Sequence, residues 1–143
     1  MYELFLSFHI LITTIVFLIF LPRDNPWLYV PFFIGGVFVD LDHCLDYYLR
    51  YRKPTFSHKE LSKGVGDRKF FIVPLHSYEF MLVAIFAFFY FQNIYVNYIV
   101  SGYFLHMFLD IVFNRYESLK YLSLTYRLKN WWKIVCLDLD VKV

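Results

Sequence analysis

The chain has 143 residues, 59% hydrophobic and 24% aromatic, with 18% charged and a formal net charge of +2. Soluble domains run nearer half apolar and a quarter charged, so the balance argues against an ordinary water-soluble globule. The excess lies in Phe (18) and Tyr (13), which suit lipid-facing and interfacial positions, and a small integral membrane protein is the expected class.

Four apolar stretches approach or reach the ~20 residues that cross a hydrocarbon core. The first runs from about Tyr2 to Leu21. It has no basic leader and no small-residue cleavage site, so it reads as a retained span and not a signal peptide. Pro22 and the turn Arg23-Asp24-Asn25-Pro26 close it. The second, about Trp27 to Leu49, carries Pro31 and Gly35-Gly36, residues that bend a helix or admit a close neighbour. Arg50 to Lys69 is a polar loop with Pro54, Gly64 and Gly66. The third span is about Phe70 to Phe91, and after a Gln92-Asn93 turn the fourth is about Ile94 to Phe113. The tail beyond Asn114 mixes basic and aromatic residues around Trp131-Trp132, which suits a segment lying on a membrane interface. The expected architecture is all-α: a four-helix transmembrane domain over 1–115, with a basic loop, followed by an interfacial tail over 116–143.

Charge orients this bundle. Arg50, Arg52, Lys53, Lys59, Lys63, Arg68 and Lys69 sit in the long loop, and Arg115, Lys120, Arg127, Lys129, Lys133 and Lys142 in the tail. The other two loops share only Arg23. By the positive-inside rule the loop and both termini are cytoplasmic, in a cytoplasmic (inner) membrane. These basic residues read as topology determinants, with anionic lipid as a secondary partner; no nucleic-acid partner is expected. The two cysteines, Cys44 and Cys136, have no CxxC spacing and imply neither a disulfide framework nor a thiolate site.

Inside the apolar stretches lie His9, then Asp40, Asp42, His43 and Asp46, then His76 and Glu79, then His106 and Asp110. Ionisable groups at such depth cost several kcal/mol or more. At 1.5 Å rise per residue, His9, Asp42 and His76 fall about 12, 10 and 9 Å from the cytoplasmic ends of their spans, and His106 and Asp110 about 5 to 11 Å. The outer halves carry no Asp, Glu or His. His106 and Asp110 are i, i+4 and His76 and Glu79 are i, i+3, spacings that put a pair on one helix face and that helical bundles use to build metal sites. Asp40 points about 160° from Asp42 on an ideal helix, so both reach one site only if the helix is broken there. Carboxylates and imidazoles are the ligand set of divalent metals such as zinc.

Plainer readings compete with this one. His9 alone can be a core histidine bonded to a carbonyl, and Asp46 can pair with Arg50. Glu79 with His76, and His106 with Asp110, can be structural hydrogen-bonded pairs. For Asp40 and Asp42 the structural reading is weakest, since like charges in one layer repel and a divalent cation offsets them.

The strings Phe38-Val39-Asp40-Leu41-Asp42-His43, Pro74-Leu75-His76-Ser77 and Gly102-Tyr103-Phe104-Leu105-His106-Met107-Phe108-Leu109-Asp110 together resemble the LexA-regulated, membrane-bound, predicted metal-dependent hydrolases. That family carries an early His, a D-x-D-H motif, an H-S motif and a G-x-x-x-H-x-x-x-D motif, and the resemblance covers most of residues 1 to 115. Phe71-Ile72-Val73 departs from it, standing where the family often has His-Arg-Gly. The resemblance implies His9, Asp40, Asp42, His43, His76, His106 and Asp110 as metal ligands. The expectation is a hydrolase with one to three divalent ions, zinc foremost, acting on a phospholipid or other amphiphilic phosphoester, with Asp40 or Glu79 as general base. The rivals are a metal or proton transporter, which calls for polar groups through the outer half, and a non-catalytic membrane protein, which should purify without metal.

Overall fold

The computed structural model describes residues 5–20, 24–54, 73–113 and 122–129, and among these every element is helical. α1 is Phe5–Phe20. A 3-10 turn at Pro26–Leu28 leads into α2, Tyr29–Val37, and a second at Phe38–Asp40 separates α2 from α3, Leu41–Tyr51. A third turn, Pro74–His76, precedes α4, Tyr78–Phe91, and α5 is Ile94–Phe113. A short helix, α6, occupies 124–129.

These elements form two compact units, one from 1–40 with 80–116, the other from 41–79 with 117–143. In the first, Phe17, Leu28 and Phe32 make a buried core ringed by Val16, Tyr29, Tyr98 and Leu105. α2 and α5 meet backbone to backbone: a Cβ on Gly35 would run into the Ile99 carbonyl, and one on Gly102 into the Phe32 carbonyl. Small residues are what allow helices to approach this closely, so the glycine pair of the second span serves contact. Chain reversal after α4 uses Gln92 at φ 46°, and the Asn93 side chain then caps α5 by accepting the Tyr95 and Val96 N–H groups at 2.9 and 3.4 Å. Such a cap satisfies donors that have no partner within the helix.

In the second unit Pro74 and its neighbours decide where α4 begins. Proline restrains the residue before it to extended backbone, and Val73 has φ −122°, ψ 85°. Ser77 is extended as well, at φ −122°, ψ 150°, so helix starts only at Tyr78. His76 therefore sits on a 3-10 turn and does not share a helix face with Glu79, as a third span unbroken from Phe70 would require.

Among the described residues, two helical stretches are long and apolar enough to cross a membrane, Pro26–Leu49 and Ile94–Phe113. The other two expected spans are shorter apolar helices, of 16 residues for α1 and 14 for α4. At 1.5 Å per residue these measure about 24 and 21 Å, against a core of about 30 Å. Large apolar side chains stay exposed along α1 (Leu18, Phe20), α4 (Phe86, Phe89) and α5 (Phe108, Phe113). Most of the basic loop, and Trp131-Trp132 of the tail, lie outside the described residues.

Candidate metal centre

The first unit gathers four of the expected residues. α1 brings His9, the 3-10 turn after α2 brings Asp40, and α5 brings His106 and Asp110 one turn apart. His9 Nε2 lies 3.3 Å from Asp110 Oδ1. His106 Nε2 lies 3.6 Å from Asp40 Oδ1 and 3.7 Å from Asp110 Oδ2. The two imidazoles stack, centroids 4.2 Å apart and planes 22° from parallel. His9, Asp110 and His106 are buried, whereas the Asp40 side chain keeps 26% exposure.

A backbone group fixes the chemistry of His106. Its Nδ1 lies 2.9 Å from the Gly36 carbonyl oxygen. A carbonyl only accepts, so Nδ1 carries the proton and donates, and in the neutral ring Nε2 presents a lone pair toward Asp40 and Asp110. Metal-binding histidines are held in this way, the second N–H donated to a carbonyl or carboxylate. The helix contact supplies the carbonyl, because Gly36 adjoins the Gly35–Gly102 approach.

The spacings test whether an ion fits. N–H···O bonds span about 2.7 to 3.2 Å. Two ligands 2.0–2.2 Å from a tetrahedral ion lie about 3.3 to 3.6 Å apart. The His–Asp separations of 3.3, 3.6 and 3.7 Å match the second range better than the first. One ligand atom each from His9, Asp40 and His106 lies within 4.8 Å of the others, and the three can hold a metal ion. The donor set, two imidazoles with carboxylates, suits zinc among other divalent ions.

The second unit holds Asp42, His43, Asp46, His76 and Glu79. Asp42, buried in the first turn of α3, accepts the Leu75 N–H at 3.0 Å through Oδ2, and His76 Nδ1 lies 3.1 Å from the same oxygen. With the carboxylate accepting, Nδ1 again carries the proton and Nε2 the lone pair. The His43 ring lies 4.7 Å from that of His76, centroid to centroid. Within the first unit Asp40 thus faces His106, and within the second Asp42 faces His76. Asp46 is buried; the Arg50 side chain expected to pair with it lies outside the described residues.

Glu79 has a different setting. Its Oε1 accepts from Ser123 Oγ at 3.0 Å and from the Thr125 N–H and hydroxyl at 3.1 Å each, and its Oε2 from the Leu124 N–H at 2.9 Å. These donors are the N-terminal groups of α6, so Glu79 caps that helix from α4. Sequence reasoning also passed over Arg127, assigned above to the basic tail. It is 2% exposed, and its guanidinium donates to the Val73 and His76 carbonyls at 2.9 and 2.6 Å. A basic residue among six in an apolar-aromatic tail carries no spacing that marks it as buried.

No family model, no curated protein and no solved structure matches the chain.

Proposed function

We propose that this chain is a membrane-embedded, metal-dependent hydrolase that cleaves a phospholipid or another amphiphilic phosphoester at the cytoplasmic face. One observation carries the reading: His106, with Nδ1 committed to the Gly36 carbonyl, aims Nε2 at Asp40 and Asp110 at ligand-to-ligand spacing beside a stacked His9. His9, His106 and Asp110 would hold the ion, zinc by donor set, with Asp40 beside it, so that one position stays open for water. A divalent ion there supplies Lewis-acid polarisation of a phosphoryl oxygen and makes water more acidic. The resemblance to the LexA-regulated membrane-bound hydrolases supports the same class.

The chain's own groups divide the remaining work. Asp40, the cluster member with an exposed edge, is the one that water and substrate reach. It takes the proton from water as the water oxygen bonds to phosphorus. The phosphorus–oxygen ester bond then breaks, and the leaving alkoxide takes the proton from Asp40, which returns to its carboxylate form. Glu79, with both oxygens already accepting hydrogen bonds, is the weaker candidate for base. The exposed apolar faces of α1, α4 and α5 support lipid as surroundings, which favours an amphiphilic substrate.

Elemental analysis of the purified full chain, followed by hydrolysis assays on a panel of phospholipids and phosphoesters, tests the reading. Bound divalent metal and turnover, both lost in His106→Ala and Asp110→Ala, are expected. Metal-loaded protein inert across the panel would overturn the hydrolase, and protein that binds no divalent metal would overturn the site.

A further inference from the structure

We propose that Arg127 is a positioning residue for His76, and that the segment 122–129 is a clamp on the turn that carries it. Among the described residues, four backbone oxygens accept hydrogen bonds from the Arg127 guanidinium. Nη1 donates to Val73 at 2.9 Å, Nη2 to His76 at 2.6 Å and Leu122 at 3.3 Å, and Nε to Ser123 at 3.4 Å. Two of these acceptors bracket the turn Pro74–His76 and two lie at the start of α6, so a single side chain ties the two segments together. Arginine's planar fork suits several fixed acceptors at once, where a lysine ammonium acts as a point charge.

The turn is gripped on its donor side as well, where Asp42 accepts the Leu75 N–H and lies against His76 Nδ1. Within the turn, the Ser77 hydroxyl donates to the Pro74 carbonyl at 2.6 Å. Carbonyls held by Arg127 and N–H groups held by Asp42 leave the His76 backbone little freedom to shift, and the imidazole then has one orientation with Nδ1 protonated. The far end of the clamp is anchored too. Glu79 caps α6, Ser123 Oγ accepts the Tyr126 N–H at 3.1 Å, and the Tyr78 hydroxyl donates to Ser123 at 2.9 Å. A stretch that reads as interfacial tail is thereby the scaffold of a histidine far earlier in the chain. The proposal takes its purpose from His76 serving the hydrolase as ligand or proton carrier, but the geometry it asserts exists without turnover.

The test is nitrogen NMR of the full chain, histidine- and arginine-labelled, in lipid nanodiscs after chelator treatment, with His76 assigned by His76→Gln and Arg127 by Arg127→Lys. In the wild type, His76 is expected as the single tautomer protonated at Nδ1, with Arg127 side-chain protons protected from exchange and in through-space contact with the Val73–His76 turn. In Arg127→Lys the His76 signal is expected to split or broaden between tautomers while the His106 signals stay in place. A general loss of fold would move both histidines, so His106 separates positioning from collapse. A His76 protonated at Nε2, rapidly exchanging Arg127 protons, or an unchanged His76 signal in a folded Arg127→Lys protein would each overturn the proposal. If Arg127→Lys does not fold, the two wild-type readouts decide. Since no metal or substrate is present, failure here leaves the hydrolase reading standing, and an inert enzyme leaves this one standing.

Discussion

At the scale of single residues, two carboxylates that the sequence offers equally as general base separate by their surroundings. Glu79 is saturated by the N-terminal donors of α6, whereas Asp40 keeps an exposed edge beside His106. Asp40→Asn is expected to lower turnover by about 100-fold or more, the usual contribution of a positioned base. Glu79→Gln is expected to lower it less than about tenfold and to cost about 1 kcal/mol of stability, as for a lost helix cap. Steady-state kinetics with thermal denaturation of both variants checks this, and a larger rate loss in Glu79→Gln would reverse the assignment. His106→Gln removes a donor atom from the cluster, and metal affinity should fall by more than the roughly 10- to 100-fold typical of outer partners, read by metal titration. The His106–Asp110 pair was legible because i, i+4 spacing on a helix guarantees a shared face. The Gly36 carbonyl that sets the His106 tautomer was not, since a backbone oxygen carries no mark in a sequence.

At the scale of elements, the α2–α5 contact shapes the candidate metal centre. Gly35 and Gly102 let the backbones touch, and Gly36, next in line, supplies the oxygen to His106. Gly102→Ala puts a methyl group against the Phe32 carbonyl, so the helices must separate. Overpacking of this kind costs roughly 1 to 3 kcal/mol, and it also draws Gly36 away from His106. A lower melting temperature together with reduced metal content in Gly102→Ala is the expected result. A lower melting temperature with full metal content would show that the contact is structural alone. Gly35-Gly36 stood out in the sequence as an adjacent pair inside an apolar run, whereas Gly102 needed its partner to be known. The break before α4 was present in the sequence as Pro74, but an apolar run through Phe70–Phe91 outweighed it. Hydropathy averages over a window, whereas proline acts on the single residue that precedes it.

At the scale of the whole molecule, apolar stretches of spanning length pointed to an all-helical chain, and among the described residues every element is a helix. The number of crossings is a separate matter, because 16- and 14-residue helices fall short of the hydrocarbon thickness unless their flanks or a thinned bilayer make up the difference. Topology can be read directly. With four crossings and cytoplasmic termini, the α1–α2 and α4–α5 connections face outward and the segment after α3 faces the cytoplasm. In a chain with Cys44 and Cys136 replaced by Ser, single cysteines at Asp24 and Asn93 should react with an impermeant maleimide added to intact cells. One at Lys53 should react only after the membrane is opened. Asp24, Asn93 and Lys53 are all exposed, so reactivity reports sidedness and not burial. If α1 and α4 do not cross, the connections at Asp24 and Asn93 fall on opposite sides, because the Pro26–Leu49 and Ile94–Phe113 stretches begin beside them and would then be the two crossings. Labelling of both from outside therefore requires α4 to span, since α4 alone lies between Lys53 and Asn93, and labelling of only one shows that α4 does not cross.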